Sequence, residues 1–120
     1  MLMKPYIQSR FDLTLMPILQ RITSLVGNWK PYDPSWLVDL AIEQAPDKPW
    51  LADALAICTL ASGADSAYIK FVDSGNPNAP GSEWQFDSNI VLHHPIEGEV
   101  VIDVLKGRRI GGVELWEKLL

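Results

Sequence analysis

The sequence lacks the features that mark secreted and membrane-spanning proteins. Cys58 is the only cysteine, so no internal disulfide can form, which is typical of proteins in a reducing compartment. There is no run of 18 apolar residues, so no transmembrane helix is predicted. The N-terminus has no apolar segment of a secretory signal. We therefore predict a cytoplasmic protein.

Motifs that fix a reaction or hold a cofactor are also missing. The sequence contains no CxxC or HExxH pattern, and the loop 75–81 is followed by neither the Lys nor the helix of a phosphate-binding loop. His93 and His94 are adjacent, so on a strand they point to opposite faces and do not readily share a metal. Cys58 lies among Ala, Leu and Ile and is predicted to be a buried, inert thiol. The expectation is a non-enzyme with no catalytic residue, no metal and no cofactor.

Positive charge is scarce in the second half of the chain. The net charge is −5, and between Asp65 and Asp103 seven acidic residues stand against Lys70 alone. Such a surface repels phosphate backbones and attracts basic partners. Direct binding to nucleic acid is therefore not expected.

Apolar residues make up 48% of the 120 residues, enough for one hydrophobic core, so residues 1–120 are predicted to be a single domain. Helical spacing of apolar residues runs from Thr14 to Val26, from Asp33 to Gln44 and from Asp47 to Gly63. The stretch 57–60 could instead be a short strand, but its neighbouring alanines favour helix. The helical part thus covers about residues 14–62.

Strand patterns fill residues 67–116. The predicted strands are 67–72 and 84–92, followed by a hairpin over 99–116. Helices followed by strands predict an α+β fold, with N-terminal helices packed on a C-terminal antiparallel β-meander.

The register of the hairpin decides which side chains share a face. A three-residue loop, 105–107, with Gly107 in the left-handed region would pair Asp103 with Arg109. Val113 and Leu115 would then lie on the face of Asp103, opposite the main apolar face. Gly111 and Gly112 predict a bulge or a closely packed neighbour.

Trp84 and four carboxylates are the candidate functional groups. Trp84 is flanked by Glu83, Gln85 and Asp87, so it is either an aromatic contact for a basic partner or a core residue beneath the preceding loop. Four other carboxylates are either solvated strand-edge residues or an acid–base pair in a cleft. They are Glu97, Glu99, Asp103 and Glu114.

Two segments resemble a family of short uncharacterised bacterial proteins. They are Asp-Ser-Ala-Tyr-Ile-Lys-Phe at 65–71 and Gly-Arg-Arg-Ile-Gly-Gly-Val-Glu-Leu at 107–115, against a family pattern of Asp-Ala-x-Tyr-Ile-x-Phe and Asp-Gly-Arg-Ile-x-Gly-Ile-Glu. Here Lys106 replaces the turn acid and one Arg is inserted. The resemblance covers about the last 55 residues and implies a gene neighbourhood with toxin-like genes.

In its layout the chain is also similar to immunity proteins of contact-dependent growth inhibition, which are small, acidic, Trp-rich α+β proteins. We therefore predict a non-enzymatic immunity or antitoxin protein, monomeric or homodimeric, that blocks a basic toxin domain such as a nuclease. The predicted contacts are Trp84, Asp87, Glu97 and Glu99. Two alternatives stay open: a hydrolase or isomerase using Asp103 and Glu114 with His93 or His94, and a homo-oligomeric scaffold protein.

Overall fold

A computed structural model of the protein describes residues 28–119. The helix predicted over 14–26 lies outside these residues. The elements in chain order are β1 (Trp29–Pro31), α1 (Ser35–Gln44), α2 (Pro49–Ala56), β2 (Leu60–Ser62), β3 (Tyr68–Lys70), β4 (Phe86–His94), β5 (Gly98–Leu105), β6 (Arg109–Leu115) and α3 (Trp116–Leu119).

The six strands form one antiparallel sheet in the order β1-β2-β3-β6-β5-β4. The predicted α+β class is confirmed. Strands β4, β5 and β6 pair in succession as a meander, whereas β3 pairs with β6 rather than with β4. Strand β1 was not predicted, because three residues ending in Pro31 carry no readable periodicity.

Helices α1 and α2 pack on one face of the sheet. Helix α1 begins where Asp33 accepts a hydrogen bond from the Ser35 backbone N–H at 3.0 Å. The predicted apolar stripe of α1 is confirmed. Burial of each large aliphatic side chain contributes roughly 1.5–3 kcal/mol to the free energy of folding before the loss of conformational entropy is counted. The fully buried core residues from helices and sheet are Leu37, Leu51, Leu55, Val100, Ile102, Val104 and Val113.

Helix α2 is shorter than predicted, and the extension to Gly63 is wrong. The helix ends at Ala56, where the Cys58 N–H bonds back to the Leu55 carbonyl and closes the last turn. The chain then becomes extended, and Leu60–Ser62 pairs with β1 on one side and β3 on the other. Pairing to two strands outweighs the weak helix preference of the alanines.

The β5–β6 hairpin has a three-residue loop, but one residue later than predicted. Leu105 pairs with Arg109, and the loop consists of Lys106, Gly107 and Arg108. Gly107 has φ +81°, which confirms its predicted left-handed conformation. The predicted Asp103–Arg109 pair is wrong, because Asp103 stands opposite Gly112.

A bulge at Gly111 explains the remaining error of register. The pairing shifts between Asp103 and Val104, which leaves Gly111 as the extra residue of β6. Since a one-residue shift reverses the side-chain alternation, Val113 and Leu115 face the helices together with Ile102 and Val100. The bulge was predicted, but its effect on these two residues was not.

Strand β4 is an edge of the sheet, and a side chain of α1 protects one end of it. The Gln44 amide accepts the His93 N–H at 2.8 Å and donates to the His93 carbonyl at 2.6 Å. An unpaired strand edge is a template for association with another chain. Gln44 therefore occupies the backbone groups to which a foreign strand would bind at this position.

Within residues 28–119, no helix is both long and apolar enough to cross a membrane.

Replacing Gln44 by Ala tests the protection of this edge. Loss of two partly solvated hydrogen bonds should lower the free energy of unfolding by about 1–2 kcal/mol and increase self-association through β4. Chemical denaturation and sedimentation velocity measure the two effects. The matched control is Glu43→Ala, at the preceding exposed position, and equal behaviour of both variants would contradict the protective role.

Candidate functional site

A buried carboxylate lies on the sheet face opposite the helices. Asp103 is only 3% exposed, and its two oxygens accept hydrogen bonds from the Tyr68 hydroxyl at 2.9 Å and the Asn89 amide at 2.6 Å. These donors come from β3 and β4, on either side of the β5–β6 pair. No sequence pattern indicated these two donors, because Tyr68, Asn89 and Asp103 become neighbours only through the strand order.

Two glycines allow aromatic rings to lie directly on this face. A Cβ at Gly112 would be 3.1 Å from Cε1 of Tyr68 and 2.7 Å from the carbonyl oxygen of Ile69. A Cβ at Gly111 would be 2.8 Å from the ring of Trp84. Both positions therefore require glycine for close approach rather than for an unusual φ.

Glu114 is a half-buried neighbour of Asp103 and, with Tyr68 and Asn89, completes a polar cluster around it. Partial burial, a side-chain hydrogen bond with Asp103 and the negative charge of Asp103 raise the pKa of Glu114 to about 7. Burial and the bond to Asp103 also raise the pKa of the Tyr68 hydroxyl. At neutral pH the Glu114 carboxyl can therefore hold a proton beside Asp103, which lowers the repulsion between the two groups.

The cluster contains two of the residues predicted for the alternative function, a hydrolase or isomerase that uses carboxylates with a histidine. Asp103 and Glu114 are together, but Asp103 is buried. His93 is on the same face and four residues along β4 from Asn89, roughly 13 Å away. His94 is on the helix side, where its ring meets Trp36 edge to face at 5.5 Å. The three-group arrangement of the alternative is not formed, and the cluster's observed role is to join β3, β4, β5 and β6.

Cys58 is buried as predicted, and burial raises the pKa of its thiol to about 12. The thiol is therefore protonated at neutral pH and a poor nucleophile. In the described part of the chain, no three His, Cys, Asp or Glu side chains are grouped so that they could hold a metal ion.

Trp84 occupies the second of its two predicted settings. It is 6% exposed and packs beneath the loop with Val72 and Leu105. Its indole is held against Gly111, so in this conformation it does not offer its ring to a partner.

The other predicted contacts lie at two ends of the sheet. Glu97 and Glu99 are at the β4–β5 turn. Asp87 is six residues before His93, which pairs with Glu99, so Asp87 lies roughly 20 Å from Glu99. The end of the sheet that contains Asp87 also carries the basic residues of the β5–β6 loop and the Glu83–Arg109 ion pair, whose N–O distance is 3.5 Å.

The end that contains the β4–β5 turn collects acidic side chains with little compensating positive charge. The Leu115 N–H bonds to the Ala67 carbonyl, which brings the β2–β3 turn to this end, and the side chain of Glu117 lies over Gly98. Lys118 is the nearby cation, 3.9 Å from Glu97. We define the acidic end as Asp65, Ile96, Glu97, Glu99, Trp116 and Glu117.

Two exposed apolar side chains stand among these acids. Ile96 is 84% exposed and Trp116 is 43% exposed. Val100 pairs with Leu115, so Trp116, which follows Leu115, begins α3 at the end of the sheet where Glu99 precedes Val100 in β5. The sequence analysis singled out Trp84 for its acidic neighbours in the chain and passed over Trp116, although Glu114 and Glu117 lie close to it in the chain.

In comparisons with known proteins, the chain matches no family model, no curated protein and no solved structure at significant similarity. The resemblance of residues 65–71 and 107–115 to a bacterial family therefore stays a prediction.

Substitution Gly112→Ala tests the close approach of Tyr68. The added methyl group must displace the Ile69 carbonyl or the Tyr68 ring, so we expect a loss of about 1–3 kcal/mol in the free energy of unfolding. Chemical denaturation measures it. The control Gly75→Ala adds the same group in an exposed loop, at 3.4 Å or more from its neighbours. An equal effect of both changes would contradict the packing argument.

Substitution Glu114→Gln tests the raised pKa. A folded-state pKa of about 7, above the ordinary 4.5, stabilises the folded protein fully below pH 4.5, and this stability is lost as the pH rises to about 7. Glutamine keeps a donor for Asp103 and does not ionise. In thermal melts at pH 5 and pH 8, the melting temperature of the variant relative to wild type should therefore be higher at pH 8 than at pH 5. Glu99→Gln is the control, and a pH-independent difference for Glu114→Gln would refute the shift.

Proposed function

We propose that the protein is a cytoplasmic, non-enzymatic binding module of the immunity or antitoxin type, and that its acidic end captures a basic toxin domain. The observation that supports this most is the exposed pair Ile96 and Trp116 set among uncompensated carboxylates. Large exposed apolar side chains rimmed by polar groups are typical of binding surfaces. Tryptophan is among the residues that contribute most to interface affinity.

The distribution of charge favours a basic partner at this end. Among residues 28–119, Glu99 and Glu117 form no ion pair, and Glu97 has only the long contact with Lys118. Carboxylates that are exposed and uncompensated steer a partner of opposite charge and speed the encounter. The opposite end mixes acids with Lys106, Arg108 and Arg109, so its field is weaker.

A rigid base supports this surface. Strands β4 and β5 are paired along their full length, and α3 packs against β5 beside the β4–β5 turn. A preorganised surface loses less conformational entropy on binding. Such a surface can block an active site by covering it, without any chemistry of its own.

The test has two steps, capture of the partner and measurement of its binding. The protein is used at low salt to purify its partner from the source bacterium, and the identified partner is then produced and measured by biolayer interferometry. Glu97→Lys with Glu99→Lys should lower the association rate at least about ten-fold, because steering is lost. Trp116→Ala should raise the dissociation rate about ten-fold, because a central aromatic contact is lost.

Controls at the opposite end separate local from general effects. Asp87→Lys makes one of the same charge changes there, and Ile57→Ala removes an equally exposed aliphatic group; both should change the rates less than about two-fold. If Asp87→Lys slows association as much as the paired change, the acidic end is not the docking surface. Cells that express the partner should survive when the wild-type protein is co-expressed and not when it is absent, and an absence of protection would contradict the immunity function.

A further inference from the structure

A cavity opens beside the acidic end, on the helix side of the sheet, and shares Glu97 with it. Its volume is about 280 Å³. Its walls are Tyr32, which precedes α1, and Trp36 in the first turn of α1, with Ile69 of β3 and Leu115 of β6. Pockets for whole small-molecule ligands usually measure about 300–1,000 Å³, so this one has the size for a single long side chain.

The aromatic walls are held in place by fixed contacts. The Trp36 indole N–H donates to the Tyr32 hydroxyl at 2.8 Å, and the Tyr32 ring packs on Phe71 with the centroids 5.4 Å apart. Tyr32 and Trp36 therefore give the cavity lining aromatic surface. Such surfaces attract cations, arginine more often than lysine.

The polar groups of the cavity also favour a cation. His94 accepts the backbone N–H groups of Ile96 and Glu97 at its Nδ1, at 3.1 and 3.0 Å. Because Nδ1 accepts both of these bonds, it does not present an N–H to the cavity. Glu97 supplies a carboxylate to the lining.

Lys118 shows where a cation is held at this cavity. Its Nζ lies 3.9 Å from Glu97, at the limit of an ion pair, and both side chains are a third or more exposed. Such pairs contribute little stability, so an incoming guanidinium with better geometry can displace the lysine.

We infer that this cavity is a receptor for one arginine side chain of the basic partner, with the guanidinium against Trp36 and its N–H groups on Glu97. This inference rests on the proposed function and specifies which group of the partner the acidic end recognises. A planar guanidinium can stack on a ring and donate two parallel hydrogen bonds to one carboxylate at the same time.

The test uses free probes and needs no partner protein. N-acetyl-arginine amide is titrated into the full-length protein, and the Trp36 indole N–H signal is followed by NMR. N-acetyl-citrulline amide is the matched control, because it has the same shape and no charge. Millimolar binding of the arginine probe, at least about ten-fold tighter than the citrulline probe, is expected. Equal binding of the two probes, or shifts that bypass Trp36 and His94, would overturn the inference.

Three variants test the assigned groups. Glu97→Gln should remove the preference for arginine over citrulline, whereas Glu99→Gln, outside the cavity lining, should keep it. Lys118→Ala should tighten arginine binding about two- to five-fold, because it removes the internal competitor. A weaker affinity of the Lys118 variant, or an unchanged preference of the Glu97 variant, would contradict the assignment.

Failure of this inference and failure of the proposed function give different results. If the arginine probe does not bind but Glu99→Lys or Trp116→Ala weakens a captured basic protein, the binding function stands and the arginine receptor is wrong. If the probe binds as expected but the wild-type protein gives no protection against its partner, the receptor stands and the immunity function is wrong.

Discussion

The close approach of two aromatic rings to a pair of glycines sets the register on which the rest of the sheet depends. Gly111 is bulged beneath Trp84, and Gly112 lies beneath Tyr68. The bulge reverses the alternation of β6, so that Val113 joins the core while Gly112 faces Asp103. A larger side chain at Gly111 would displace the Trp84 ring, and one at Gly112 would displace the Tyr68 ring, whose hydroxyl donates to Asp103.

This register also determines the distribution of charge. Because β5 and β6 are antiparallel and paired to Leu115, the end of β6 continues into α3 beside the β4–β5 turn. Acidic residues that are distant in sequence, such as Asp65 and Glu117, are thereby collected at one end. The basic residues of the β5–β6 loop are held at the other end. The separation of acidic and basic side chains to opposite ends is thus a consequence of strand order. The net charge of −5 does not describe this separation.

The sequence predicted what depends on local pattern and missed what depends on strand order. The stripe of α1, the left-handed Gly107 and the buried Cys58 are confirmed, because each is set by spacing or by neighbours in the chain. The partners of Asp103 were wrong, since the choice of bulged glycine cannot be made from residue types. The same limit applies to the tryptophans: Trp84 and Trp116 both have acidic neighbours in the chain, but Trp84 is buried and Trp116 is 43% exposed.

Hydrogen–deuterium exchange of the protein with and without its basic partner tests the central claim most directly. The account predicts that the partner slows exchange in residues 94–99 and 115–119, with little change in the loop 73–85. Protection confined to that loop and the start of β4, with unchanged exchange at the β4–β5 turn, would contradict it.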